Sequence, residues 1–112
     1  MPSQRDDCLF CSIVRDGTYV RQDKGFVAVA DIHPQAAVHL LVIPERHVDT
    51  FRDVAEFPPE ETARMLAFVA ETAAESGLTD YRVVVNVGLG GGQTVFHLHW
   101  HILGGRPMGE TL

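Results

Sequence analysis

Apolar residues recur along this chain in two rhythms, one of strands and one of helices. Val38-His39-Leu40-Leu41-Val42-Ile43-Pro44 is an almost unbroken apolar run closed by proline, the pattern of a buried strand. Phe26–Ile32 alternates, with Phe26, Ala28, Ala30 and Ile32 on one face and Val27, Val29 and Asp31 on the other. Tyr81–Val87 predicts a further strand, and Thr18–Arg21 a short one before a turn over Gln22–Gly25. Pro58-Pro59-Glu60-Glu61 suits a helix start, and the helix is expected to run to Ser76 and stop at Gly77. Met65, Leu66, Phe68, Val69 and Thr72 form its apolar stripe. Cys8–Arg15 predicts a short helix with Asp6 or Asp7 as N-cap and Gly17 as stop. His33-Pro34-Gln35-Ala36 is a connection, and Asp49–Phe57 carries no regular pattern.

The last stretch is Val95-Phe96-His97-Leu98-His99-Trp100-His101-Ile102-Leu103. A helix would scatter its three imidazoles, whereas a strand places all three on one face and Phe96, Leu98, Trp100 and Ile102 on the other. Glycines bound it on both sides. Together these elements predict one α+β domain spanning residues 1–112, with flexible ends expected at 1–7 and 107–112. It would hold about five strands in a largely antiparallel sheet, one long helix and one short one. One face would be covered by helix and the other partly open.

A chain of 112 residues with 46% hydrophobic and 21% charged residues has ordinary globular composition and supports a single core. The formal charge of -6, with no Lys/Arg run, argues against nucleic acid or a membrane surface as partner. No apolar run approaches a membrane span and no secretory pattern opens the chain, so the expected location is the cytoplasm. There, Cys8 and Cys11 would be reduced or metal-bound.

The glycine loop Gly88–Gln93 lets backbone N–H groups approach an anion, and Gln93, Thr94 and the upstream Asn86 can add side-chain hydrogen bonds. Set directly before three histidines, it points to a phosphate group. A neutral imidazole is a nucleophile toward phosphorus, and its neighbours can donate to non-bridging oxygens. His99, flanked by the other two, is the candidate nucleophile; His101 is the candidate phosphate donor and possible acid, and His97 a supporting residue.

Gly91-Gly92-Gln93-Thr94-Val95-Phe96-His97-Leu98-His99-Trp100-His101-Ile102-Leu103-Gly104-Gly105-Arg106 resembles the histidine triad (HIT) family of nucleotide hydrolases and transferases, in its Hint-like, purine nucleoside phosphoramidase branch. The likeness extends over Cys8–Ile13, Asp31–His47 and Tyr81–Asn86. It implies the α+β fold above, dimerised into one continuous sheet. It implies that His99 attacks the α-phosphorus, that His101, Asn86, Gly92 and Thr94 hold phosphate oxygens, and that Thr94 lies near the leaving group. Gln93 stands at the family's usual glutamine, and His39 matches an additional histidine near the active site. Asp31 would bind ribose hydroxyls, and Leu9, Phe10, Ile13 and Ile32 would wall the base; plain core packing accounts for these four equally well. Some bacterial members share the Cys8-x-x-Cys11 pair, which implies a structural zinc on Cys8, Cys11, His47 and His97, with free thiols as the alternative.

Two departures stand out. The Ile13–Phe26 stretch is about three residues shorter than usual, implying a truncated first strand, and Pro107–Leu112 lacks the aromatic tail of eukaryotic Hint proteins. The expected activity is hydrolysis of nucleoside 5′-phosphoramidates on adenylates or guanylates, with no metal needed for chemistry. Alternatives are a dinucleoside polyphosphate hydrolase or other nucleotidyl transferase of the family, and a nucleotide- or partner-binding module with little turnover. A histidine-rich metal-handling surface is weaker, since it needs no phosphate cradle.

Overall fold

The fold is taken from a computed structural model, which describes residues 5–105. Five antiparallel strands form one sheet in the order β1-β2-β3-β5-β4. Helix α1 (Leu9–Asp16) leads to β1 (Arg21–Asp23), β2 (Phe26–Ala30) and β3 (Val38–Pro44). A 3-10 turn (Phe51–Glu56) and helix α2 (Pro59–Glu75) cross to β4 (Tyr81–Val84), and β5 (Trp100–Gly104) returns between β3 and β4.

The two sheet faces are built from alternate residues of the same strands. Phe26, Ala28, Leu40, Val42, Leu98, Trp100 and Ile102 pack under α2 with Met65, Phe68, Val69 and Ala73. Val27, Val29, Leu41 and Ile43 pack on the opposite face with Phe10 and Val14 of α1. The pairings Leu40↔Ile102 and Leu41↔His101 put His101 on the α1 face, and residues 39, 41 and 43 share it. The sheet separates the larger core under α2 from the α1 face, where a smaller core lies beside the histidines.

Several elements depart from the sequence expectations. Cys8, and neither Asp6 nor Asp7, caps α1: its sulfur accepts from the Cys11 N–H at 3.3 Å. Gly17 ends the helix at φ -78, outside the left-handed region. The first strand lies three residues later than expected and is itself three residues long, because Lys24 (φ 23) and Gly25 (φ 95) form a two-residue hairpin turn that pairs Asp23 with Phe26. Arg21 ties this edge to α2 through Glu71 and Glu75, both at 3.1 Å. Ile32 lies beyond the end of β2, and β4 stops at Val84. On α2, Leu66 faces solvent, while Met65, Phe68, Val69 and Thr72 are buried. The glycine loop contains a 3-10 turn over Leu89–Gly91.

The largest difference concerns the histidine stretch. Only its second half is strand, since β5 begins at Trp100; His97 and His99 precede it. Pro44 ends β3 without an N–H to continue the ladder, and the incoming chain bonds elsewhere, Leu98 N–H donating to Val48 O at 2.7 Å. Side-chain alternation nevertheless continues, with Leu98, Trp100 and Ile102 in the α2 core; Phe96 escapes it and is exposed.

Candidate active site

His97, His99 and His101 reach the α1 face as a row, with Phe10 edge-on to His97 at 6.2 Å and to His99 at 4.8 Å between ring centroids. His99 and His101 are 5.2 Å apart, as are His101 and His39. Burial holds all three triad rings in their neutral form. It pushes His97 and His101 down to about 4, with neighbouring imidazoles adding to the effect, and lowers His99 as well.

The hydrogen-bond network assigns a tautomer to each ring. His99 Nδ1 lies 2.7 Å from the His97 carbonyl oxygen, which can only accept, so Nδ1 carries the proton and Nε2 keeps its lone pair. His39 Nδ1 accepts from the Gln35 N–H at 3.0 Å, so its proton is on Nε2. That Nε2 donates to His101 Nδ1 at 2.9 Å and leaves His101 with an N–H at Nε2. His99 therefore has an unprotonated Nε2 and His101 an N–H at Nε2, on rings whose centroids are 5.2 Å apart. Asp31 closes this end: one oxygen accepts from the His33 N–H at 2.8 Å, and the other is 3.4 Å from His39 Nε2.

Two clusters could hold a cation, and the far side of each imidazole separates them. Cys8, Cys11, His47 and His97 bring four donor atoms within 4.8 Å of one another. Cys8 Sγ to His97 Nδ1 is 3.3 Å, Cys11 Sγ to His47 Nδ1 is 3.4 Å, and Cys11 Sγ to His97 Nδ1 is 3.5 Å. Ligands of a tetrahedral ion, with sulfur at about 2.3 Å and nitrogen at about 2.0 Å, lie roughly 3.5 Å apart. His47 Nε2 donates to Asp49 Oδ1 at 2.7 Å and His97 Nε2 to Pro44 O at 2.8 Å, so both Nδ1 lone pairs face the cluster. Burial pushes the Cys11 thiol up, which makes a cation the natural means of deprotonating it. Asp31, His39 and His101 also converge within 4.8 Å. There the Gln35 N–H holds the proton on His39 Nε2, the atom a metal would need. The first cluster fits a tetrahedral ion; the second is a hydrogen-bond relay.

The other expected residues are distributed as follows. Gln93 is 2% exposed; its Oε1 accepts from Gly88 N–H at 2.9 Å, and its Nε2 donates to Asp49 O at 2.8 Å and Val95 O at 3.0 Å. Contrary to the sequence expectation, the loop donors do not face an anion: the Gly91, Gly92 and Gln93 N–H groups turn inward to the Gly88 and Leu89 carbonyls, closing the 3-10 turn, and the Gln93 amide is bonded inside the protein. Gly92, at φ 88, lets the loop close, and Asn86 lies beside it. Thr94 is exposed. Phe10 belongs to the α1-face core and Ile13 packs against it, whereas Leu9 is 59% and Ile32 86% exposed. Arg5, within the expected flexible end, donates its N–H to Cys11 Sγ at 3.3 Å. The expected 107–112 tail lies outside the described residues.

Sequence reasoning missed Pro44, Asp49 and Gln35, whose roles run through a carbonyl, a carboxylate behind a histidine and a backbone N–H. Only Asp49 left a trace, as the acid two residues after His47.

The HIT domain family model matches residues 13–108. The chain is 37% identical to the purine nucleoside phosphoramidase of Escherichia coli strain K12 over 112 aligned residues, covering 96% of this chain and 94% of that protein. A HIT family hydrolase from Legionella pneumophila Philadelphia 1 superposes with a TM-score of 0.83 at 44% identity, covering 90% of this chain and 95% of that one. A zinc-bound histidine triad family protein from Mycobacterium smegmatis superposes with a TM-score of 0.73 at 33% identity, covering 89% and 76%.

Proposed function

The chain belongs to the HIT family, and on that premise we propose that it hydrolyses nucleoside 5′-phosphoramidates through a nucleotidyl intermediate on His99. The observation that carries this reading is the tautomer pair: a free Nε2 lone pair on a neutral His99 and an N–H on His101 Nε2. His99 Nε2 would attack the α-phosphorus, the phosphorus–nitrogen bond to the amine would break, and the amine would leave with a proton. His101 Nε2–H is placed to stabilise the phosphoryl oxygens or supply that proton, with His39 Nε2–H behind it. Water would then cleave the phosphorus–His99 bond and return the imidazole.

Thr94, Asn86 and His101 would hold phosphate oxygens, with Gly92 contributing its backbone conformation and Gln93 fixing the loop from behind. Asp31 would take ribose hydroxyls. Leu9, which lines a cleft with Thr94, and Ile32, next to Asp31, would offer exposed apolar surface to the base. The E. coli relative's name supports a purine nucleotide conjugate as substrate.

Cys8, Cys11, His47 and His97 would hold a structural zinc, supported by their donor geometry and by the zinc-bound relative. When bound, the ion would cross-link α1 to the segments carrying His47 and His97 and take no part in phosphoryl chemistry. A second copy pairing along the edge strand β4, which leaves Tyr81 and Val83 exposed, would extend the sheet into a homodimer. No described helix is long and apolar enough to cross a membrane. We place the reaction in the cytoplasm, where the two thiols stay available to metal.

The test incubates wild type with an adenosine phosphoramidate and a diadenosine polyphosphate, side by side and without added metal. Faster cleavage of the phosphoramidate supports the reading. Preference for the dinucleotide moves the protein to polyphosphate hydrolysis, and adenosine monophosphate binding without turnover makes it a binding module. Zinc content well below one per chain would remove the metal assignment.

A further inference from the structure

We propose that the Cys8–Cys11–His47–His97 centre is a control site for the nucleophile: zinc keeps His99 poised, and chelation or a two-electron oxidant releases it. The inference rests on the His99 and zinc assignments above. Its physical basis is that His97 belongs to both sites. Its ring Nδ1 faces Cys8 Sγ at 3.3 Å and Cys11 Sγ at 3.5 Å, and its carbonyl oxygen accepts from His99 Nδ1 at 2.7 Å. The group that sets the His99 tautomer is therefore the backbone of a residue whose ring sits among the metal donors.

This stretch precedes β5, so no strand ladder fixes its path. Apart from Leu98 in the α2 core and the Gln93 bond to Val95 O, the His97 backbone and ring are held by the Leu98 N–H to Val48 O bond, the His97 ring to Pro44 O, and the metal centre. Phe10 supplies a second link. It lies between the two cysteines on α1, and its ring packs 4.8 Å from His99. Cys8 also caps α1 through its sulfur, so a change at the cysteines loosens the turn that carries Phe10.

Oxidant has a route to the centre. Cys11 is buried, but Cys8 is partly exposed and lines a cleft of about 380 Å³ together with Arg5, Asp49 and Thr94. With hydrogen peroxide, the Cys8 thiolate would attack one oxygen, forming a sulfenic acid and expelling hydroxide. The Cys11 thiolate would then attack the Cys8 sulfur, forming the disulfide and expelling a second hydroxide. Two protons from solvent turn both hydroxides into water, and the two electrons lost by sulfur reduce the peroxide. Zinc, left with two imidazoles, would depart, freeing the His97 ring.

The test uses zinc-loaded wild type without reductant and follows three readouts: zinc release to a chromogenic chelator, the ¹⁵N imidazole signals of His99, and single-turnover nucleotidyl transfer. Chelator or hydrogen peroxide is expected to release about one zinc per chain. The His99 signals should move from a fixed Nδ1–H tautomer toward an averaged pattern, and transfer should slow about tenfold or more. Reductant plus zinc should reverse all three after peroxide, and Cys8→Ser should show the weakened state without oxidant. Folded, zinc-free protein that keeps the fixed tautomer and the wild-type rate overturns the proposal. So does purified protein that carries no zinc, or zinc that peroxide does not release. If zinc-loaded wild type transfers no nucleotide at all, the His99 assignment falls, and the tautomer readout still decides the coupling.

Discussion

Replacing Gln93 by Glu isolates the side chain that holds the glycine loop against the metal-proximal segment. The substitution preserves shape and keeps an oxygen for the Gly88 N–H, but turns the amide nitrogen into an oxygen facing the carbonyls of Asp49 and Val95. Gln93 is 2% exposed, so water cannot make up the loss. Each carbonyl stripped of its donor costs about 1–3 kcal/mol, giving roughly 2–6 kcal/mol for the pair. At about 4 °C per kcal/mol for a domain of this size, the melting temperature should fall by at least about 8 °C at pH 7. Burial and the facing carbonyls raise the new carboxyl's pKa above its unfolded value of about 4.3, so the folded state binds more protons. The deficit relative to wild type should therefore shrink as pH falls through that raised pKa, because a protonated carboxyl can again donate to one carbonyl. Thermal melts followed by circular dichroism at pH 7 and pH 5.5 measure both effects. A melting temperature within about 2 °C of wild type at pH 7 would refute the role assigned to these bonds.

Other expectations follow from the same network. Stability should fall as pH drops from about 6.5 toward 4: His97, His99 and His101 stay neutral when folded but take up protons when unfolded, each contributing at most about 1.4 kcal/mol per pH unit. Denaturant melts across that range should show His101→Gln with a shallower slope than wild type. His39→Leu removes the proton donor to His101 Nδ1 and should lower kcat at least about tenfold, with KM changing less; equal kcat would exclude the relay. Sedimentation should find a dimer that Val83→Lys on the exposed edge weakens, and a monomeric wild type would rule out the sheet-extending pairing.

What could be read in advance depended on whether the signal was local. Val38–Pro44 was legible because an apolar run ended by proline is unambiguous, and all seven residues form β3. The triad's shared face was legible because side-chain alternation outlasts the strand itself. The start of β5 was hidden, since it depends on where Pro44 and Val48 leave partners for the incoming chain. The position of the first strand is hidden because the Lys24-Gly25 turn and the Arg21 ties to α2 set its register, and the polar Gln22 and Asp23 carry no strand pattern of their own. In the site, the histidines announced themselves, while the groups that assign their protons did not. Pro44 O, Gln35 N–H and the Gly88 and Val95 contacts of Gln93 are backbone atoms that any sequence provides; only folding aims them.

The covalent step on His99 leaves a mass signature that intact-mass analysis can read. Wild type and His99→Asn would be mixed with an adenosine phosphoramidate, quenched in alkali, where a phosphorus–imidazole bond survives, and weighed. A transient adenylyl adduct that maps to His99 is expected on wild type, and no adduct on the variant, with turnover lowered by at least about a thousandfold. An adduct on another residue, or undiminished turnover by His99→Asn, would contradict the covalent step on His99.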